Sequence, residues 1–134
     1  MNTTIQIRKK GKSLIKIPSR FVVFDIETTG LNPATDEIIE ISAIKVRDNV
    51  IENTFSYLIK PNNEIPYFIT ELTKITNEMV ENALSIEEVL PRFIDFIEDE
   101  ILVGHNVNFD INFIYDNLIK LGKEPLKNDF VDTL

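Results

Sequence analysis

No cysteine occurs anywhere in this sequence. Its absence excludes a disulfide framework and a thiolate metal site, and it suits a cytoplasmic protein. No apolar run approaches the ~20 residues that a membrane-spanning helix needs. The polar, then basic, N-terminus is not followed by the apolar stretch of a secretory signal. No membrane partner is therefore expected. What is present is ordinary for a soluble globular chain. The 134 residues are 43% apolar and 27% charged, enough for one domain with a sizeable core.

Charge is unevenly placed. The net charge of −8 argues at first against a nucleic-acid partner. Residues 1–24, however, hold Arg8, Lys9, Lys10, Lys12, Lys16 and Arg20 and no acid, so the remaining residues carry −14. Such an arm can contact phosphates while an acidic body holds cations. The plainer expectation for residues 1–20 is a solvated tail, with a short edge strand around Ile5 and Ile7 as an alternative. The Ile-Pro-Ser run at 17–19 marks the entry to the domain.

Phe21 to Phe24 reads as a strand buried on both faces, and Thr28 to Asp36 as a loop. Glu37 to Val46 reads as a second strand with Ile39, Ile41 and Ala43 on one face. Asp48-Asn49 is a turn signal, and Val50 to Lys60 a third strand. The short links predict an antiparallel meander. Short helical pieces follow near 67–74 and 77–83. Ser85 with Glu88 forms a capping box that opens a helix to about Glu98, in which Pro91 predicts a kink or an early 3₁₀ turn. Ile101 to Gly104 is a short buried strand. Asn106 or Asn108 caps a helix to about Leu121, with Phe109, Phe113, Ile114, Leu118 and Leu121 along one side and Gly122 at its C′ position. Asp129 to Leu134 begins another strand. The pattern is a mixed α/β sheet with helices packed on it.

Chemistry centres on Asp25 and Glu27. Residues i and i+2 of a strand point to one face, with Cα atoms roughly 6.6 Å apart. Both carboxylates can lean onto one divalent ion, and without a cation they repel. A lone Asp-x-Glu is a weak signal, more often an ordinary strand end. Asp110 taken alone reads as a first-turn acid that favours the helix dipole.

The surrounding strings are more specific. Phe-Val-Val-Phe-Asp25-Ile-Glu27-Thr28-Thr29-Gly30-Leu31 resembles the first motif of the DnaQ-like, four-carboxylate (DEDD) 3′–5′ exonucleases. Leu102-Val103-Gly104-His105-Asn106-Val107-Asn108-Phe109-Asp110 resembles the second, in the right order about 80 residues later. Glu37-Ile38-Ile39-Glu40-Ile41, Leu72-Thr73-Lys74-Ile75-Thr76 and Asp132-Thr133-Leu134 also look like family elements. The resemblance covers residues 20 onward. It is greatest to the exonuclease domains of bacterial DNA polymerase III, of the PolC type or the epsilon subunit.

That resemblance implies an RNase H-like fold over residues 21–134 behind the basic arm of 1–20. It implies metal-dependent release of nucleoside 5′-monophosphates from DNA 3′ ends, in proofreading or repair. Two Mg²⁺ or Mn²⁺ ions would clamp the attacking and leaving oxygens, with Asp25, Glu27 and Asp110 as ligands. Thr28, Thr29, Gly30 and Leu31 would grip the terminal nucleotide through backbone N–H groups and an apolar wedge. Thr76 would lie near the 3′ end, although Lys74 replaces the family's usual Gly in that turn. His105, Asn106 and Phe109 would line the pocket, Phe109 by stacking on a base or simply as core. His105 is the only histidine, but its matched position lines the pocket. The family's general base is a His or Tyr shortly before a fourth acid, and residues 1–134 supply neither. The expectation is a domain without its C-terminal helices and last motif, and of doubtful activity alone. The substrate partner would be a single-stranded or frayed 3′ end, and a replicative polymerase a further partner. An RNA-trimming enzyme of the same family, or an inactive 3′-end or partner-binding module, are the alternatives.

Overall fold

A computed structural model describes residues 7–134; the Ile5 half of the possible Ile5–Ile7 edge strand lies outside the described residues. Ten elements follow one another: β1 (Ser13–Leu14), β2 (Arg20–Thr28), β3 (Ile38–Arg47), β4 (Val50–Leu58), α1 (Tyr67–Thr73), α2 (Asn77–Val80), α3 (Ile86–Ile97), β5 (Ile101–Gly104), α4 (Val107–Lys120) and β6 (Phe130–Asp132). The strands form one mixed sheet in the order β1-β6-β5-β2-β3-β4.

The meander is present: β2, β3 and β4 pair antiparallel. Asp48 and Asn49 both take positive φ, 50° and 66°, as a two-residue turn matched to strand twist requires. On the other side of β2, β5 pairs parallel to it and β6 parallel to β5. The C-terminal ends of these three strands therefore share one edge of the sheet, and α4 starts there.

Strand alternation explains the core. Val22, Phe24 and Ile26 of β2, Ile41 and Ala43 of β3 and Phe55 of β4 pack against Val89, Leu90 and Phe93 of α3 and Val107, Ile111 and Ile114 of α4. Phe93 joins the layers, its ring 5.4 Å from Phe24 and 5.6 Å from Phe55. Truncating such a ring costs about 3–5 kcal/mol. Ile39, Ile65, Ile69, Ile75 and Val80 form a second cluster under α1 and α2.

Several expectations are corrected. β2 is not buried on both faces: Phe21 and Val23 are half-buried and Asp25 is exposed, because the face away from α3 and α4 is left open. The sequence pattern missed β1, a two-residue strand that pairs parallel with β6. The helix through Pro91 is α-helical throughout. It opens on the expected box, Glu88 Oε1 accepting from the Ser85 N–H at 3.3 Å. Residues 8–14 are tied to the fold, whereas Ile15, Lys16 and Ile17 are exposed. Arg8 donates twice to the Asp116 carboxylate, both at 2.8 Å, and the Lys9 N–H donates to the Tyr115 hydroxyl at 3.0 Å.

Candidate active site

β2 sets the first two acids. Asp25 and Glu27 follow the alternation that buries Phe24 and Ile26, so they point to the opposite, open face. The ladder places Asp25 opposite Ser42 and Glu27 opposite Glu40, with a register shift just after Glu27. Glu40 thus stands beside Glu27, an acid that the motif strings contain but do not single out.

α4 brings the third acid. Asp110 is the one buried charged side chain among the described residues, 5% exposed. Its Oδ2 accepts from the Ile26 N–H at 3.0 Å, so the backbone between Asp25 and Glu27 holds it. Burial, and next the Asp25 charge, push the Asp110 carboxyl up to about 8. The Ile26 N–H opposes this, while a hydrogen bond with Asp25 and the Glu27 charge add to it. Glu27 is raised by burial, then by Asp25 and Glu40, and Glu40 by burial and then Asp25. None of the ion pairs among the described residues reaches this corner.

Oxygen donors that raise one another's proton affinity suit a hard divalent cation. Among the described residues no three acid or histidine side chains already stand as a finished ligand set. The donor chemistry fits a cation, and the geometry leaves the last closure to binding.

The loop after β2 is tied to itself. The Thr29 N–H donates to the Glu37 carbonyl at 2.9 Å, and Thr29 Oγ1 accepts from the Glu37 N–H at 2.9 Å. That amide is therefore spent within the loop. The Thr28 hydroxyl donates to the Gly30 carbonyl at 2.6 Å. A Cβ on Gly30 would lie 2.3 Å from the Asp36 carboxylate, so glycine admits a side chain of the loop itself. Leu31 is 83% exposed at the tip.

Thr76 caps α2, its hydroxyl accepting from the Met79 N–H at 3.1 Å. Lys74, in the family's glycine position, takes φ 68° and ends α1 as a glycine would. Asn106 stands at the N-cap of α4 in a left-handed conformation without a side-chain cap bond. Its N–H donates instead to Asp132 Oδ1 at 2.9 Å, so β6 fixes the turn that carries His105. Phe109 is half-buried against the core, its ring 5.0 Å from Phe113. His105 is exposed and lines an open groove of about 720 Å³ with Val23, Asp25, Ser42, Ile44 and Ser56. Asp25, Glu27 and Asp110 are brought together; Thr76 lies at the start of α2, the Asn106 side chain is exposed, and Phe109 packs partly against the core.

Comparison with known proteins agrees on the architecture. The family model described as "Exonuclease" (RNase T) matches residues 22–134. The PolC-type DNA polymerase III of Clostridium perfringens is 50% identical over 114 residues, 85% of this chain and 8% of that protein. Its counterpart in Caldanaerobacter subterraneus is 48% identical over 124 residues, 92% of this chain and 9% of the relative. The chain thus spans under a tenth of the length of these relatives. Among solved structures, Exonuclease X in complex with 5′ overhanging duplex DNA aligns over 84% of this chain and 59% of its own, at 27% identity and TM-score 0.66. E. coli Exonuclease I in complex with a dA16 oligonucleotide aligns over 87% of this chain and 28% of its own, at 22% identity and TM-score 0.76. The RNase H-like sheet with flanking helices is shared with these enzymes.

Proposed function

This chain belongs to the exonuclease family whose model spans residues 22–134, and on that premise we propose that it serves metal-dependent 3′–5′ hydrolysis at DNA 3′ ends, releasing nucleoside 5′-monophosphates in proofreading or repair. One observation carries the reading. Asp110 is buried against the backbone between Asp25 and Glu27, three carboxylates at one strand end that no ion pair among the described residues reaches. Nothing in the packing of β2 and α4 calls for that concentration of charge.

Asp25, Glu27 and Asp110 are the residues that would hold Mg²⁺ or Mn²⁺, and a cation held there supplies Lewis-acid charge to the phosphodiester. The Ile26 N–H keeps the Asp110 carboxylate aimed at β2. Asp132 holds the His105 turn through the Asn106 amide. Leu31, exposed at the loop tip, offers an apolar wedge for an unstacked terminal base. His105 and the edge of Phe109 flank the approach. DNA is preferred as substrate because the relatives are DNA polymerases and the two structural neighbours are complexes with overhanging duplex DNA and a dA16 oligonucleotide. A polymerase partner and a cytoplasmic setting accord with the same relatives.

The test is a 5′-labelled single strand incubated with excess protein and Mn²⁺. Stepwise shortening of the labelled strand, stopped by chelator, is the expected outcome. Immediate release of the labelled mononucleotide, internal cuts, or shortening that persists in chelator would sink the reading.

A further inference from the structure

Residues 7–20 precede the family match at 22–134, yet they are built into the fold. The segment climbs α4 from its C-terminal half to its first turns. Arg8 pairs with Asp116, the Lys9 amide meets Tyr115, and the Lys10 ammonium donates to the Asn108 and Asn112 side chains. It then joins the sheet. The Lys12 N–H donates to Asp129 Oδ1 at 2.7 Å, and Ser13 and Leu14 pair in parallel with Phe130 and Val131. A Cβ on Gly11 would lie 2.1 Å from the Asn128 carbonyl oxygen, with the Lys127 carbonyl also close. The strap is therefore pressed onto the α4–β6 loop.

β1 runs in the same sense as β6, toward the sheet edge where Gly104 pairs with Asp132. Two strands, β6 and β5, separate β1 from β2, and Lys16 follows two residues beyond the last paired position, at the end of the sheet where the acids lie. Of these cations, Arg8 and Arg20 are neutralised by Asp116 and Glu100. Lys9, Lys12, Lys16 and Lys127 are exposed and have no carboxylate partner among the described residues. Burial, and next the Arg8 charge, pull the Lys10 ammonium below its ordinary value, with Asp116 opposing. This stripe lies on a chain of net charge −8.

We infer that the strap and the adjoining Lys127 form a track for the phosphate backbone of the substrate strand, behind the terminal nucleotide held at the acids. The inference rests on the nuclease reading for the identity of the strand, and on the strap's own packing for its place. A basic sheet edge two strands from an acidic corner solves an electrostatic problem. The acids repel a polyanion, and the track supplies attraction where no cation is held.

The experiment measures binding of a 3′-blocked 12-nucleotide single strand across a salt series. The wild-type chain is compared with Lys12→Gln/Lys16→Gln and with Lys60→Gln/Lys123→Gln, which removes the same charge elsewhere. For single strands each phosphate contact contributes about 0.7 to the slope of log K against log salt. The strap variant is expected to lose up to about 1.4 from that slope and to bind more weakly at low salt. The control pair should keep the wild-type slope. Equal slopes in the two variants overturn the track. Circular dichroism melts establish that both variants fold. A cleavage arm separates the two readings. Cleavage with equal slopes overturns the track alone. A strap-dependent slope in a protein that never cleaves in Mn²⁺ supports the track and counts against the nuclease reading.

Discussion

Asp110 binds its proton up to about pH 8 in the folded chain, whereas an unfolded Asp loses it near 3.9. Between those values the folded state holds more protons than the unfolded one, so metal-free stability falls as pH rises through that window. The raised Glu27 and Glu40 act in the same direction. One group contributes a slope of at most about 1.4 kcal/mol per pH unit. Urea melts in chelator from pH 5 to 8 should show the decline, and Asp110→Asn should flatten it, because an amide oxygen can still accept from Ile26. A stability that rises over that range would contradict the burial of the carboxyl. Asp25→Ala removes the charge that, after burial, does most to raise the Asp110 carboxyl. Cleavage should be lost with it, while metal-free stability at pH 8 holds or rises. Cleavage near the wild-type rate would remove Asp25 from the chemistry.

At the scale of elements, α1 ends on a lysine in a left-handed conformation, a state that costs a non-glycine residue roughly 1 kcal/mol or more. Lys74→Gly should therefore raise stability by about 0.5–1 kcal/mol, read as a higher urea midpoint at unchanged slope. A loss of stability would mean that the Lys74 side chain makes a contact worth more than the strain. This turn also shows what the sequence made legible. The family string placed it, and the structure bends there despite the missing glycine. Asp25, Glu27 and Asp110 were readable because each lies in a long motif at a strand end or helix start. Glu40 was not, since its place beside Glu27 depends on cross-strand register, which a single sequence does not display. β1 was hidden because two residues show no periodicity, and its partner strand lies over a hundred positions later. Asn106 was readable as a cap position but not as a left-handed residue that hands its amide to Asp132. The contacts of residues 8–10 were not legible because their partners, Asp116, Tyr115, Asn108 and Asn112, are spread along α4 and visible only after folding.

For the molecule as a whole, the same charge distribution makes a quantitative statement about rate. On the proposed reading, the acid cluster would hold a cation and the strap a strand. Hydrolysis also needs a group to take the proton from the attacking water, and positioned general bases typically contribute about 10²–10⁴-fold. His105 is the single imidazole, and it stands exposed on the groove, on a turn that Asp132 holds through the Asn106 N–H. It is not assigned that task. Residues 1–134 assayed beside E. coli Exonuclease I on one oligonucleotide in Mn²⁺ should therefore turn over at least about 10²-fold more slowly. Substituting His105 by Gln should leave that residual rate within a few fold, with its effect on substrate affinity rather than on turnover. A collapse of the rate in His105→Gln, or parity with the reference enzyme, would make His105 the base and reassign the groove as the seat of the proton transfer.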